Sequence, residues 1–284
     1  MKARLHADIA GFAALARPLL EADPVRHSIA LTALALQLRA PQATADQPVL
    51  LTAHHGAVTA GAALCVIPYD LIASALPATA APAAADLLAV VHPSLRGAVG
   101  PRAEAETFAA TWSARTGALV RERMAQQLFA LRRLTPPAGV RGTARRAGPG
   151  DVELLTRWLT DFAAEATGGL RETSGVARHI RRSMTAGNAA LMWEADGDAV
   201  AWASVNLPVA GMSRIGPVYT LPEHRGHGYG SAVTAAAAGW ARQAGARHVV
   251  LLTDLANPVP NAIYPRLGFR PVHDTVQLEF TPAP

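Results

Sequence analysis

The stretch of sequence that decides the fold lies in the second half of the chain and reads Val218-Tyr219-Thr220-Leu221-Pro222-Glu223-His224-Arg225-Gly226-His227-Gly228-Tyr229-Gly230-Ser231. It predicts a strand that ends at Leu221, a tight glycine-rich turn, and a helix that begins near Gly230. Glycines let the backbone approach a ligand closely, with its N–H groups turned inward. Together with the positive end of the helix dipole, those N–H groups predict a cradle for a pyrophosphate.

The charges around this turn agree with an anion site. No Asp or Glu occurs between Gly226 and Gln243, although acidic side chains are favoured in the first turn of a helix. The helix predicted from Ala103 to Arg115 in the first half begins instead with Glu104 and Glu106, which satisfy its own dipole and would repel a phosphate. If the two halves are copies of one unit, we expect only the second half to bind the anion.

Two other interpretations of the turn have to be weighed. A lone glycine-rich turn also occurs in ordinary loops and in Rossmann dinucleotide sites. The Rossmann fingerprint is G-x-G-x-x-G in the first βα unit, with an acidic residue about twenty positions further on. Here the turn comes late, its spacing is Arg225-x-x-Gly228-x-Gly230, and Arg247-His248 stands where the acid is needed. The Rossmann interpretation is therefore disfavoured.

A second motif follows the apolar run His248–Thr253, which predicts a buried strand. It reads Asn257-Pro258-Val259-Pro260-Asn261-Ala262-Ile263-Tyr264-Pro265-Arg266-Leu267-Gly268-Phe269. With both motifs in this order, the chain from Val140 to Phe280 resembles the GNAT superfamily of acyl-CoA-dependent N-acetyltransferases. The R/Q-x-x-G-x-G/A turn of that superfamily matches Arg225, Gly228 and Gly230, and its N-x(6)-Y-x-x-x-G-F run matches Asn257, Tyr264, Gly268 and Phe269.

The resemblance implies an acetyl-CoA site. The backbone of Val218–Thr220 would pair with the pantetheine arm, and one of its N–H groups would stabilise the oxyanion of the reaction. The side chain of Asn257 would bond the arm. Tyr264 would protonate the departing thiolate, the alternative being a tyrosine that only packs in the core. The cofactor-binding residues implied are Val218, Tyr219, Thr220, Arg225, Gly226, His227, Gly228, Tyr229, Gly230, Ser231 and Asn257.

The fold class implied is α/β (α+β), a GNAT-like mixed and mostly antiparallel sheet flanked by helices. The local patterns agree, since Asp196-Gly197 predicts a hairpin between two strands. At the end of the chain we expect two closing strands, Phe269–His273 and Thr275–Phe280.

The first half repeats this order of elements loosely, and a stiff seam at Leu134–Gly139 follows it. We therefore expect two tandem GNAT-like halves. Residues 1–134 are predicted to form a degenerate N-terminal domain without a cofactor cradle. Residues 140–284 are predicted to form the catalytic domain that binds acetyl-CoA.

The general base is not assigned by the sequence. Neither Ser213–Leu221 nor His248–Thr253 contains an acid, although many GNAT enzymes carry a glutamate there. Glu223, His224, Asp254 and a water relay all stay open. The predicted function is an N-acetyltransferase that moves the acetyl group of acetyl-CoA to an amine by direct attack. The alternative is a non-catalytic module that binds acetyl-CoA to regulate or sense. The acceptor, a small molecule or a protein amine, has no decodable pattern; we expect its selectivity in the Thr167–Glu172 loop, the final hairpin and the N-terminal half.

Composition excludes several other classes. The formal charge of +5 is spread over both halves in short arginine doublets without interleaved aromatics, which disfavours a nucleic-acid partner. Lys2 is the only lysine, so no Walker A loop exists, and Cys65 is the only cysteine, so neither a disulfide nor a thiolate zinc site can form within the chain. No metal is expected. Without a signal-like or membrane-spanning segment, we expect a cytoplasmic protein that uses no membrane. The oligomeric state is not predicted.

Overall fold

The computed structural model describes residues 1–41, 48–67, 69–167 and 175–282. The chain divides into two compact units. The first unit comprises Met1–Leu128, Thr253–Pro258 and Pro271–Pro284, and the second comprises Phe129–Leu252 and Val259–Arg270. Each unit is therefore made of stretches that are separate in the sequence, whereas each predicted domain, 1–134 or 140–284, is one continuous stretch. Those domains, as functional divisions, remain a proposal.

The first unit is built on an antiparallel meander followed by one parallel pair. In order, its elements are β1 (Lys2–Leu5), α1 (Ile9–Ala22), α2 (Ser28–Arg39), β2 (Val49–His55), β3 (Val58–Cys65), β4 (Leu71–Ala75), a 3₁₀ turn (Ala78–Ala80), α3 (Ala81–Val91), β5 (Gly97–Pro101), α4 (Arg102–Thr116) and most of β6 (Leu119–Leu131). Strands β1 to β4 pair antiparallel in sequence order, and β4 pairs with β5 in parallel. Of these, β1, α1 and β4 were not predicted.

The second unit repeats this arrangement. Its elements are β7 (Thr143–Arg146), α5 (Val152–Thr167), α6 (Val176–Thr185), β8 (Ala189–Ala195), β9 (Asp198–Val205), β10 (Met212–Thr220), a 3₁₀ turn (Pro222–His224), α7 (Tyr229–Gln243), β11 (His248–Asp254), α8 (Pro258–Arg266) and the start of β12 (Phe269–Thr281). Strands β7 to β10 pair antiparallel, with the predicted Asp196-Gly197 hairpin joining β8 and β9. Strand β10 pairs with β11 in parallel.

Helices cover both faces of the strands β7 to β11 in the second unit. Helix α7 covers one face with alanines such as Ala237, Ala238 and Ala241, whose small side chains let the helix lie close to the strands. Helices α5 and α6 cover the other face through Leu155, Trp158 and Ile180, among others. Because apolar residues at helical spacing line one side of α5, burying that side orients the helix on the sheet.

The end of the chain corrects one expectation. The two closing strands predicted at Phe269–His273 and Thr275–Phe280 are one continuous strand, β12. The segment between them offers only Asp274 as a turn residue, with no glycine to reverse the chain. The period-2 alternation continues through Val276, Leu278 and Phe280, which are all buried in the core of the first unit. There β12 pairs antiparallel with β5.

In the part of the chain that the structure describes, no helix is both long and apolar enough to cross a bilayer.

Candidate functional site

A free strand edge forms one side of the candidate site. The parallel pairing of β10 with β11 ends at Ile215 and Leu251, where the ladder of β10 with β9 also shifts its register. Beyond this bulge, Tyr219 and Leu221 face β9, since the Leu221 N–H donates to the Val200 carbonyl at 3.1 Å. Alternation then turns the N–H and C=O groups of Val218 and Thr220 to the opposite edge. Among the described residues, no strand pairs with that edge.

The glycine turn forms the adjoining side. Gly226 and Gly228 both have a φ of +83°, a left-handed conformation that favours glycine. Gly228 is the N-cap of α7, no side chain caps the helix, and its first turn contains no acidic residue. The amides that start α7 are therefore left to a ligand or to water.

The edge and the turn lie close together. A Cβ at Gly230 would approach the Thr220 hydroxyl oxygen at 3.3 Å, and a Cβ at Gly228 would approach Val140 Cγ2 at 3.1 Å. Glycine at position 230 thus permits the close approach of helix to strand that the predicted cradle needs. Ser231 follows in the first helical turn.

Arg225 braces this turn. Its Nη2 donates to Glu165 Oε1 at 2.9 Å and to Oε2 at 2.8 Å, and its Nε donates to the Thr220 carbonyl at 3.1 Å. The guanidinium also lies 5.8 Å from the centre of the Tyr219 ring. Since the side chain is committed to protein groups, the predicted contact of Arg225 with a cofactor stays a prediction. Glu165 was missed, because sixty residues separate it from Arg225.

The three aromatic side chains near the turn have packing roles. The rings of His227 and Tyr229 stack at 5.6 Å, while Tyr229 is buried and His227 is exposed. The Tyr219 hydroxyl donates to Glu165 Oε1 at 3.4 Å, and burial, with the charge of Glu165, raises the pKa of Tyr219. Because these side chains contact one another or Glu165, a ligand would meet the backbone N–H and C=O groups of these residues more readily than their side chains.

Tyr264, the predicted proton donor, lies on α8 in the core of the second unit. It is 7% exposed, and its ring packs against Phe129 at 6.3 Å and Phe269 at 6.0 Å. Burial raises the pKa of Tyr264 to about 12, so the hydroxyl keeps its proton at neutral pH. Within the described ranges, this hydroxyl has no hydrogen-bond partner, which leaves it able to donate to a ligand.

The glycine of the second motif has a packing reason. Gly268 has a φ of +96°, and a Cβ there would lie 1.7 Å from the Arg133 carbonyl oxygen. The Arg132 N–H donates to the Gly268 carbonyl and the Thr135 N–H to the Leu267 carbonyl, both at 3.0 Å. Part of the predicted seam therefore fixes the end of α8, and with it the position of Tyr264.

Asn257 is the one predicted site residue that belongs to the first unit. It is exposed, its N–H donates to the Asp254 carbonyl at 3.1 Å, and its segment Thr253–Pro258 belongs to the first unit, whereas the other predicted residues belong to the second. Its predicted bond to the pantetheine arm stays a prediction.

The structure shows where the three candidate bases predicted from the sequence lie and what each one contacts. Asp254 Oδ1 accepts the Ala256 N–H at 2.9 Å, Glu223 is exposed in a 3₁₀ turn, and His224 lies against the Tyr229 ring. The Thr167–Glu172 loop, expected to govern selectivity, lies outside the described residues apart from Thr167. In residues 1–41, 48–67, 69–167 and 175–282, no group of three or more His, Cys, Asp or Glu side chains could hold a metal ion.

Comparison with protein families identifies the second half. The model of the acetyltransferase (GNAT) family matches residues 155–269, a range that contains the free edge, the glycine turn and Tyr264. Residues 155–269 form a GNAT acetyltransferase domain. The predicted resemblance is thereby confirmed, and acetyl transfer is the activity that the family implies. Among curated proteins, no sequence matches this chain.

Solved structures extend the likeness to the whole chain. A GNAT-family acetyltransferase from Colwellia psychrerythraea has a TM-score of 0.62 at 12% identity, covering 99% of this chain and 100% of its own. A tandem GNAT protein from the clavulanic acid biosynthesis pathway has a TM-score of 0.63 at 14% identity, covering 99% and 98%. A Drosophila protein reaches 0.72 at 13% identity, with the same coverage. At such identities the likeness shows fold alone, and it confirms the predicted tandem GNAT-like fold.

Proposed function

We propose that this GNAT protein is an N-acetyltransferase that uses acetyl-CoA as the donor and an amine as the acceptor. The observation that carries the proposal is the close approach of the free Val218–Thr220 edge to the uncapped start of α7. A ligand that occupies both needs an extended amide arm and an anionic group, and acetyl-CoA has both.

The strand edge is suited to the arm. The outward N–H and C=O groups of Val218 and the outward N–H of Thr220 would pair with the amides of the pantetheine arm, as an added strand pairs with a sheet edge, while the Thr220 carbonyl accepts from Arg225 Nε. The backbone N–H groups from Gly226 to Ser231 would hold the pyrophosphate with help from the helix dipole. Asn257 would bond the arm.

The chemistry needs few side chains. The acceptor nitrogen attacks the thioester carbon, a C–N bond forms, and a backbone N–H of the Val218–Thr220 edge stabilises the oxyanion. The C–S bond then breaks, and the Tyr264 hydroxyl gives its proton to the thiolate. The nitrogen must also lose a proton, and neither β10 nor β11 offers an acid before Asp254, at the end of β11.

That missing acid favours a second candidate, a non-catalytic module that binds acetyl-CoA to regulate or sense. One experiment separates the two. Calorimetry of the full chain with acetyl-CoA should give a single site, and thiol release from acetyl-CoA should accelerate when a panel of primary amines is supplied. Binding without acceleration by any amine supports the sensor, whereas no binding contradicts both.

The proposal assigns the reaction to residues 140–284 and no donor site to residues 1–134. The acceptor can be a small molecule or an amine of a protein; the protein amine is tested by adding peptides to the same panel.

A further inference from the structure

The β6–β7 connection, residues 132–142, runs between two parts of the proposed site that lie far apart in the sequence. It contains the predicted seam Leu134–Gly139, yet the whole connection belongs to the second unit. Leu134 and Val140 pack against the core of that unit. A linker that only joins two domains is usually exposed and makes few contacts, so these contacts need an explanation within the second unit.

The first end of the connection is fixed to the end of α8. The Arg132 N–H donates to the Gly268 carbonyl and the Thr135 N–H to the Leu267 carbonyl, both at 3.0 Å. Leu267 itself is 2% exposed and lies in the core of the second unit. This end of the connection therefore starts from a firm base.

The other end reaches the glycine turn. A Cβ at Gly228 would lie 3.1 Å from Val140 Cγ2 and 4.0 Å from Val140 Cγ1. Among the described residues that are not adjacent to Gly228 in the chain, Val140 alone comes within 4 Å of that position. At Gly226 the same test finds none of the described residues within 4 Å. Val140 is thus the side chain that packs against the turn at Gly228.

The stretch between these two ends is stiff. Pro136 and Pro137 follow Thr135 directly, and Gly139, with a φ of +71°, then turns the chain toward Val140. Each proline ring fixes its own φ at about −65°, and each proline also restricts the residue before it to extended conformations. Few backbone rotations are left between Thr135 and Val140, so the base at α8 determines where Val140 lies.

The chain is fixed again directly after Val140. Trp193 Nε1, on β8, donates to the Arg141 carbonyl at 2.8 Å. Gly142 has a φ of +105°, and a Cβ there would lie 2.1 Å from the Glu194 carbonyl oxygen, so glycine is needed for β7 to start this close to β8. Val140 is therefore held from both directions along the chain, by α8 and by β8.

We propose that Val140 is a positioning residue for the acetyl donor, with the β6–β7 connection holding it against the glycine turn. The inference rests on the proposed function and deepens it, because it names what sets the geometry of the pyrophosphate cradle. Glycine at positions 226 and 228 lets the amides turn inward, but it also leaves the turn free to adopt other conformations. Contact with Val140 limits that freedom before the donor binds, so less conformational entropy is lost on binding.

The first test measures donor affinity in the full chain by calorimetry. Val140→Ala removes the methyl groups that pack on Gly228, and acetyl-CoA affinity should fall about 3- to 10-fold, as for residues that act on a site through their neighbours. Val140→Ile keeps the branched side chain and should bind like the wild type.

The matched control is Val209→Ala. Val209 is also a partly buried valine of the second unit, but its N–H donates to the Met212 carbonyl at 2.9 Å, at the opposite end of β10 from the free edge. Its acetyl-CoA affinity should equal that of the wild type.

Titration with ADP locates the effect at the cradle. ADP carries the diphosphate of the donor but neither the pantetheine arm nor the thioester. Val140→Ala should weaken ADP and acetyl-CoA by the same factor, because both ligands use the glycine turn. A variant that only destabilised the fold would reduce the amount of folded protein and not the affinity of the folded fraction, and unfolding in urea measures that loss separately.

The stiffness of the connection has a variant of its own. Pro136→Gly combined with Pro137→Gly keeps Val140 and the bonds to α8 and adds backbone freedom between them. Acetyl-CoA affinity should fall, as it does in Val140→Ala. The control is Pro149→Gly, which changes an exposed proline in the 3₁₀ turn before α5 and should leave the affinity unchanged.

The outcomes separate this inference from the proposed function. Equal acetyl-CoA affinities of the wild type and Val140→Ala overturn the role of Val140. A loss for acetyl-CoA without an equal loss for ADP overturns the placement of that role at the cradle. Wild-type affinity in the double proline variant overturns the role of the stiff connection. If the wild type does not bind acetyl-CoA, the proposed function fails, and the inference fails with it.

Discussion

The two units have similar parallel strand pairs but different turns after the first strand of each pair. In the second unit, β10 is followed by a turn in which Gly226 and Gly228 adopt a φ of +83° before α7 begins. In the first unit, β4 is followed by Pro77, a 3₁₀ turn and then α3, with Pro82 in its first turn. No glycine occurs from residue 76 to 82.

This difference indicates which feature of the second unit would make the proposed anion site. Neither α3 nor α7 has an acidic residue in its first turn, so the absence of negative charge does not distinguish them. The backbone does. Proline has no N–H to donate, and without glycine the chain cannot readily turn successive amides inward. We therefore expect the first unit to offer fewer amide donors than the second unit at this turn.

The same comparison corrects the argument from Glu104 and Glu106. These residues begin α4, which follows the second strand of the parallel pair, whereas the counterpart of α7 is α3. They are also engaged elsewhere, because Glu104 pairs with Arg26 and Glu106 pairs with Arg102 at 2.7 Å. The expectation of an empty first unit now rests on Pro77 and Pro82.

The helices after the second strands differ as well. Helix α8 carries Tyr264, whose hydroxyl is available, whereas the sequence of α4 contains no tyrosine. Its aromatics, Phe108 and Trp112, are fully buried, and Trp112 stacks on Phe280 at 5.9 Å. We infer that the first unit lacks the proton donor as well as the cradle.

The largest expected effect concerns this proton donor. Tyr264→Phe keeps the ring and its packing and removes only the hydroxyl, so the thiolate must leave without a positioned acid. Such losses span about 10²–10⁴-fold in rate, and a thiolate is a good leaving group, so we expect about 10²-fold in kcat, or about 2.7 kcal/mol. The measurement is thiol release at saturating acetyl-CoA, with Tyr69→Phe in the first unit as control. Near-normal kcat would mean that Tyr264 only packs.

The next effect concerns the cradle. Gly228→Asp places a side chain where φ is +83°, Val140 is 3.1 Å away and a phosphate is expected. Acetyl-CoA affinity should fall at least about tenfold, about 1.4 kcal/mol, in calorimetry. Gly239→Asp adds the same charge to the same helix at a position with open space, and it should bind like the wild type. Equal affinities of the two variants would remove the cradle from the proposal.

A smaller effect is expected at the brace of the turn. Glu165→Gln removes the charge that pairs with Arg225 at 2.8 Å, but both side chains are 48% exposed, so the pair contributes less than about 1 kcal/mol. Unfolding in urea should show a loss within that limit. Acetyl-CoA affinity should change less than about threefold, because the amides of the turn remain. A tenfold change would show that the pair itself sets the geometry of the cradle.

How much of this the sequence could predict depended on distance along the chain. The strand, the glycine turn and α7 follow one another directly, so their residues alone predicted the turn, and Tyr264 followed from the second motif. The Glu165–Arg225 pair joins residues from two distant segments, and no local pattern contains it.

The errors have physical causes as well. The closing strands were divided at Asp274, a residue that favours turns, yet the alternation through Val276 and Leu278 continues the pairing as one strand. The loose repeat of elements predicted the helix with Glu104 as the counterpart of α7, but the pairing of β4 with β5 and of β10 with β11 makes α3 the counterpart. The pairing of the strands, which decides which helix is the counterpart, cannot be read from charge.

The smallest expected effect is none, and it tests the comparison of the two turns most directly. Ala78→Asp places a negative charge in the exposed turn before α3, the counterpart of the position that Gly228→Asp disturbs. A carboxylate near a helix N-terminus is favourable, so the fold should be as stable as before or slightly more so. Titration with acetyl-CoA should give one site per chain with unchanged affinity in both the wild type and the variant. If the first unit bound acetyl-CoA, the wild type would instead show two sites, and the new charge would weaken one of them. That result would mean that a proline-bounded turn can hold the donor, and the distinction between the two units would fail.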